Sequence, residues 1–295
     1  MSTSANNPAN NNDKALEVRT HDIPLADAMT EFMKEGWAPS PLEGVTPHKS
    51  IPFTTARREV LSKKYPGVRL IFPAGALKVR SNDSDYAFRA HSAYSWYTGI
   101  VASDCVPDSV FVMEPTTSGH EALLFIHPRS PRNSDEFYRN ARYGEFWIGR
   151  RMTIEESETK YGIKVRQIES LAEFLGDKKE ALIVRGQDAE VDKLVAERED
   201  AEKDFLNFTS LQRIVKDQYE IDEMQKAIDA SVRGFADMVR VFPAATSVAR
   251  GERVIEGAFY GRARLEGNDQ GYPSIVASGA HACVLHWIKN DGDVL

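Results

Sequence analysis

An α/β domain followed by a second, helix-led unit is the architecture this sequence predicts, and three observations carry it. Short apolar runs alternate with helical patterns from about residue 52 to 200, the mark of strands and helices built into one layered domain. A charge run, AEREDAEKDF (196–205), then breaks the alternation. Beyond it two long amphipathic patterns lead into an extended, small-residue stretch, GYPSIVASG (271–279). The expected organisation is a polar tail and lead-in helix over 1–50, an α/β domain over 51–208 and a second unit over 209–295.

A length of 295 residues suits two domains or one large one. With 42% apolar and 27% charged residues the chain is an ordinary globular protein. A net charge of −7 argues against nucleic acid as a partner. Cys105 and Cys283 form neither a C-x-x-C pair nor a disulfide framework, so both are expected as partly buried free thiols in a reducing compartment. No run of ~18 apolar residues is present to cross a membrane. The opening MSTSANNPANNND lacks the basic region and apolar core of a signal peptide, and reads as a disordered tail on a cytoplasmic protein.

Taken in order, Leu25, Met29, Phe32 and Met33 have helical spacing in PLADAMTEFMKEGW (24–37). TTARREVLSKKY reads as a helix capped by Thr54 or Thr55. VRLIFPAG (68–75), SVFVMEP (109–115), ALLFIHP (122–128) and ALIVRG (181–186) read as buried strands. EFWIGRRMTIEESETKYG predicts a strand, a turn and a helix, with Thr153 and Glu156 spaced for a capping box. AEREDAEKDF is expected as a solvated helix face.

In YEIDEMQKAIDASVRGFADMVRVFP, Ile221, Met224, Ile228, Val232, Phe235 and Met238 or Val239 form one apolar stripe that Pro243 should end. ERVIEGAFYGRARLEG gives a second helix with Val254, Ile255, Ala258 and Phe259 inward and Gly267 as its stop. The chain closes on HACVLHWIKNDGDVL, where Asn290, Asp291 and Gly292 are turn formers and Asp293–Leu295 reads as the start of a strand.

Phosphate-loop, dinucleotide, nucleophile-elbow and H-E-x-x-H motifs are absent. His21, His48, His91, His120 and His127 are scattered singly and read as surface or structurally satisfied residues. His281 and His286 lie five apart and would face opposite ways on an extended segment, which disfavours a shared metal. His286, between Val284-Leu285 and Trp287, is expected on a strand with an apolar surround. Its bland reading is a hydrogen-bonded core histidine; its functional reading is a donor that shares negative charge developing on a substrate carbonyl.

SNDSDYAFRAHSAYSWYTGI (81–100) followed by EFWIGRR (145–151) resembles the N-terminal domain of the Xaa-Pro aminopeptidase (aminopeptidase P) family. RIVKDQYEIDEMQKAIDASVRGF (213–235) is similar to the family's linker and first catalytic-domain helix, and GYPSIVASGAHACVLHW (271–287) to the approach to its active site. The resemblance covers about 52–295 and implies an α/β N-terminal domain followed by an incomplete α+β pita-bread (creatinase/aminopeptidase-like) domain. By motif match, His286 would be the family's substrate-binding histidine, an oxyanion donor near the scissile carbonyl. His281 falls where the motif is not restricted to histidine and receives no role.

The resemblance implies two manganese ions in the complete family member and peptides with proline at position two as substrates. It also implies a homo-oligomer, with the N-terminal domain assisting assembly. An Xaa-Pro bond has no amide N–H and a fixed backbone angle, which calls for a dedicated enzyme. Two metal ions can supply hydroxide near neutral pH and hold the developing oxyanion.

The family's ligands are two aspartates, a histidine and two glutamates, the first aspartate following an N-D-G-x-x-x-x-G-D-type turn. The chain stops inside that turn, so every ligand is expected beyond Leu295, with no metal bound here and no catalysis by this chain alone. Two other readings stay open: a metal-free binding or oligomerisation module, and a prolidase-type dipeptidase.

Overall fold

The computed structural model describes residues 26–295 apart from Asp83 and Lys178. The N-terminal tail, Leu25 and His21 lie outside the described residues. Contacts divide the chain into two compact units, Met1–Ile214 and Val215–Leu295, and each is built differently.

The first unit is organised by a five-stranded mixed sheet of β1 (Arg69–Pro73), β4 (Val110–Thr116), β5 (Gly119–Ile126), β6 (Lys164–Gln167) and β7 (Ala181–Ile183), in the order β6-β5-β4-β1-β7. A separate small hairpin pairs β2 (Val79–Ser81) with β3 (Ser84–Asp85). The three central strands are antiparallel to one another, and each edge strand runs parallel to its inner neighbour. Period-two side-chain alternation then makes two cores.

Leu70, Phe72, Phe111, Met113, Leu124 and Ile126 face one side. They pack there with Leu61, Tyr94, Tyr97 and Phe205 from α2 (Ile51–Lys64), α3 (Ser92–Thr98) and α9 (Glu199–Gln212). Ile71, Val110, Val112, Leu123 and Phe125 face the other, against Leu171 and Leu175 of α7 (Leu171–Leu175) and Val191 of α8 (Ala189–Leu194). The four runs read as buried strands are all present. Burial on both faces is why their sequences run apolar without a break.

Four local expectations are corrected. Helix α2 starts at Ile51 with Pro52 in its first turn, where a missing N–H costs nothing, and Thr54 lies inside it rather than capping it. EFWI is a single helical turn, α5 (Glu145–Ile148), not a strand. Gly149 stops it with φ +84°, and the Trp147 indole N–H donates at 2.7 Å to the carbonyl of Tyr138 in α4 (Asp135–Arg139). The charge run belongs to α9, but its Glu202 is buried and paired with Arg185 at 2.6 Å. Pro243 does not end the long helix, which continues to Ala245, because proline disturbs the turn before it more than the residues after it.

Other details match the residues closely. Thr153 Oγ1 accepts from the Glu156 N–H, and the Glu156 carboxylate accepts from the Thr153 N–H, capping α6 (Ile154–Tyr161) from both sides. The lead-in helix α1 (Asp27–Lys34) contributes no buried side chain. The stretch after it is held by the EFWIGRR region and its neighbours: Arg150 Nε donates to the Ser40 carbonyl at 2.6 Å and Arg129 to the Ser40 hydroxyl at 2.7 Å. His48, His91 and His120 are each hydrogen-bonded, and His127 stacks on Tyr143. Cys105 is buried, whereas Cys283, expected to be partly buried, is exposed.

The second unit is a helix pair, α10 (Gln218–Ala245) and α11 (Gly251–Glu266), followed by a long irregular segment. Asp217 and Glu220 form a capping box at the start of α10. The helices approach closely at Gly234, where an added Cβ would stand 2.9 Å from the Phe259 ring. The buried core of this unit is small: Ala245, Ile255 and Val294, with Met238, Val241, Val254 and Val276 packed around them. Ile221, Met224, Ile228, Val232, Phe235 and Val239 keep their apolar stripe exposed. No strand occurs among the described residues of this unit.

Candidate functional site

The site grows from the start of α11. Arg250 takes a left-handed conformation (φ +61°), and Gly251 follows where a Cβ would lie 2.1 Å from the Ala245 carbonyl oxygen. Glycine is therefore the residue that fits between the two helices. Glu252 comes next, and although it opens a helix it is fully buried. Its position three residues before Ile255 puts both side chains on the inward face.

Four N–H groups converge on the Glu252 carboxylate. Oε1 accepts from the Ser278 backbone at 2.9 Å and lies 3.0 Å from His281 Nδ1. Oε2 accepts from the Trp287 indole at 2.8 Å and from the Gly292 backbone at 2.8 Å. A carboxylate only accepts, so His281 carries its proton on Nδ1. Burial by itself would raise the Glu252 carboxyl, but the donors from Trp287, Ser278, Gly292 and His281 outweigh it and hold it down at about 2. At neutral pH the group is an anion inside the fold.

The surrounding bonds complete a closed loop. The Glu252 N–H donates back to the Gly292 carbonyl at 3.1 Å, and the Arg250 N–H to Asp293 Oδ1 at 2.8 Å. Asn290, fully buried with φ +46°, accepts from the Val276 N–H and donates to the Ser274 carbonyl, both at 2.9 Å. The Asn-Asp-Gly stretch, expected as a turn, bends at Gly292 and is anchored by these bonds. The His281 and Trp287 rings stack at 3.8 Å and 21°.

His286 sits in a turn between these anchors, on an exposed side chain, and not on a strand with an apolar surround. Val284 and Leu285 beside it are exposed too. A strand needs a neighbour for its backbone groups, and the described residues of this unit supply none. The local backbone turns instead, with the Ile288 N–H donating to the His286 carbonyl at 2.9 Å. Among the described residues the His286 ring has no hydrogen-bond partner, so the bland reading as a satisfied core histidine does not hold. His281 and His286 are not brought together on one ligand.

A groove of about 470 Å³ lies in the same unit, walled by Phe235, Met238, Phe259, Arg262, Tyr272 and Ile275 among others; His286 is not part of its wall. Among the described residues no group of three or more histidine, cysteine, aspartate or glutamate side chains could hold a metal ion. Glu252, the best-placed carboxylate, already has its oxygens occupied by N–H donors. The residues present therefore do not fit a metal pair. Glu252 escaped the sequence reading because an acid in the first turn of a helix is commonplace; its register with Ile255 was the available signal.

The comparisons agree with this architecture. Residues 54–184 match the family model for the aminopeptidase P N-terminal domain, and residues 222–295 match metallopeptidase family M24. Xaa-Pro aminopeptidase 1 of Streptomyces coelicolor is 45% identical over 276 residues, covering 92% of this chain and 54% of that protein. Xaa-Pro aminopeptidase 2 of the same organism is 40% identical over 273 residues, covering 92% and 57%.

Among solved structures, proline aminopeptidase P II from Yersinia pestis matches with a TM-score of 0.63 at 22% identity, over 82% of this chain and 56% of that one. The low-pH form of E. coli aminopeptidase P matches with a TM-score of 0.63 at 20% identity, over the same shares, 82% and 56%. The fold is that of an aminopeptidase P N-terminal domain joined to part of a pita-bread domain. The chain belongs to the Xaa-Pro aminopeptidase (aminopeptidase P) family, and it spans about half the length of the curated relatives it matches. Its family is one of metallopeptidases, which implies a divalent metal for the family's chemistry. No described helix is long and apolar enough to cross a membrane.

Proposed function

We propose that this chain supplies the N-terminal domain and the substrate-side histidine of a Xaa-Pro aminopeptidase, which releases the N-terminal residue from peptides with proline second. The observation that carries the reading is His286: exposed, without a partner for its ring among the described residues, and followed by Trp287, whose indole is tied to Glu252. An imidazole held that way can donate to a carbonyl oxygen as negative charge builds on it. The 45% identity to Xaa-Pro aminopeptidase 1 of Streptomyces coelicolor supports proline-directed cleavage over a general aminopeptidase.

The domain assignment, 51–208 and 209–295 after a lead of 1–50, is part of the proposal and is supported by the two units. Manganese is the ion we assign to the complete site, and no residue among those described is assigned to it. A cytoplasmic location and a homo-oligomeric complete enzyme complete the reading.

The test is a chimera in which this chain replaces the matching part of the Streptomyces coelicolor relative. Release of the N-terminal residue is measured on a peptide with proline second and on its alanine counterpart. Proline-dependent release is expected, with His286→Ala lowering kcat on the order of 10²–10³-fold. A folded chimera that ignores proline, or one indifferent to His286→Ala, would sink the proposal.

A further inference from the structure

Residue 252 does more than fill a buried site, and we infer that Glu252 is the positioning residue for His286. This rests on the reading of His286 as the substrate-side donor. One carboxylate gathers the loop at Ser278 and His281 before His286 and at Trp287 and Gly292 after it, through contacts of 2.9, 3.0, 2.8 and 2.8 Å. Trp287, next in sequence to His286, is gripped by its indole N–H and by the stacked His281 ring. The exposed turn thus gets its rigidity from a fully buried anion on another element, and the His286 ring stays free to face a ligand.

The chemistry demands glutamate rather than glutamine. All four partners present N–H groups, and only a carboxylate offers acceptors on both oxygens. Glu252→Gln keeps shape and burial but turns an NH₂ group toward two of the donors, whichever way the amide flips. The grip on one side of His286 then fails while the helix pair remains.

The experiment uses the whole 295-residue chain with ¹⁵N-labelled histidine, tryptophan and backbone, comparing wild type with Glu252→Gln. Three changes are expected in the variant. Amide exchange rises on the order of 10²-fold at Ser278 or at Gly292, whichever faces the amide NH₂, since both charge-assisted hydrogen bonds to that side are lost. On the Oε1 side the NH₂ drives His281 out of the Nδ1–H tautomer, and on the Oε2 side it takes the acceptor from the Trp287 indole N–H instead. The His286 backbone order parameter falls from about 0.85 to below about 0.6. A merely stabilising carboxylate would leave the His286 order parameter unchanged while the chain stays folded, and that result overturns the inference.

If Glu252→Gln does not fold, Trp287→Phe removes a single N–H and keeps the stacked ring. A rise in His286 mobility with faster Gly292 exchange supports the inference, and wild-type values for both overturn it. None of these readouts requires peptidase activity, so a chimera that fails to cleave Xaa-Pro peptides would remove the functional reading and leave the loop-positioning result separately decided.

Discussion

Glu114 in the first unit and Glu252 in the second are both buried carboxylates, but they are neutralised in opposite ways. Glu114, on β4, meets Arg69 at 2.5 Å and Lys179 at 2.6 Å. Arg69, itself almost wholly buried, also reaches Asp177 at 2.7 Å and lies over the Phe174 ring at 4.6 Å. Burial pushes the Glu114 carboxyl up, and hydrogen bonds from Arg69 and Lys179 more than reverse it. Glu252 meets no lysine or arginine among its four hydrogen-bonding partners. The first arrangement joins charge to charge in a unit with a core on each face of a sheet. The second spreads one charge over oriented dipoles from a loop, in a unit whose buried core is three residues. Ion pairing consolidates a scaffold that already packs; dipolar caging gives shape to a segment that has little else to shape it.

The largest break in this comparison comes from Arg69→Ala, which leaves Glu114 and Asp177 with Lys179 as their shared cation. A loss of about 3 kcal/mol or more is expected in the stability of the first unit. It is read by denaturant unfolding resolved by amide exchange, with the second unit's amides unchanged. A result below about 1 kcal/mol would mean the cluster is solvated and contributes little.

Gly251→Ala gives the next largest effect and acts on the other unit. Its Cβ would fall 2.1 Å from a backbone oxygen, which cannot rotate away. A cost of about 1–3 kcal/mol is expected, seen as faster exchange in α11 and the 278–292 loop while β1, β4 and β5 stay protected.

The smallest effect at neutral pH, zero until acid is added, is the titration of Glu252. Its folded value of about 2 lies below the ordinary 4.5. Its contribution is therefore complete above pH 4.5 and is lost as pH falls through about 2. The Trp287 indole resonance follows that loss; in Glu252→Gln the dependence on this carboxyl disappears. A Trp287 signal whose acid transition is unchanged in Glu252→Gln would contradict this assignment.

Most of the scaffold could be read from residues alone. Runs such as LIFP and FVM are too apolar for anything but two-sided burial, and Thr153 with Glu156 spells its cap outright. EFWI could not be read, because three apolar residues in a row fit either period. Glu202 and Glu252 were hidden for a related reason: local sequence shows an acid at a helix start, while burial depends on partners elsewhere. Arg185 lies 17 residues from Glu202, and Gly292 lies 40 from Glu252. His286 was legible as a residue but not as a geometry, since the expectation of a strand assumed a pairing neighbour. The four N–H donors that define the site come from a glycine, a serine, a histidine and a tryptophan, and two of those donors are backbone groups that no residue type announces.

The two thiols divide in a way that bears on how the loop can be watched. Burial raises the Cys105 thiol to about 12, leaving roughly one molecule in 10⁵ as thiolate at pH 7. Cys283 is exposed, two residues after His281 and three before His286. A maleimide dye at neutral pH therefore has one accessible target, and that target rides on the segment Glu252 holds. The unaltered chain is already a site-selective optical reporter, with its emission set by the motion of the turn that carries His286.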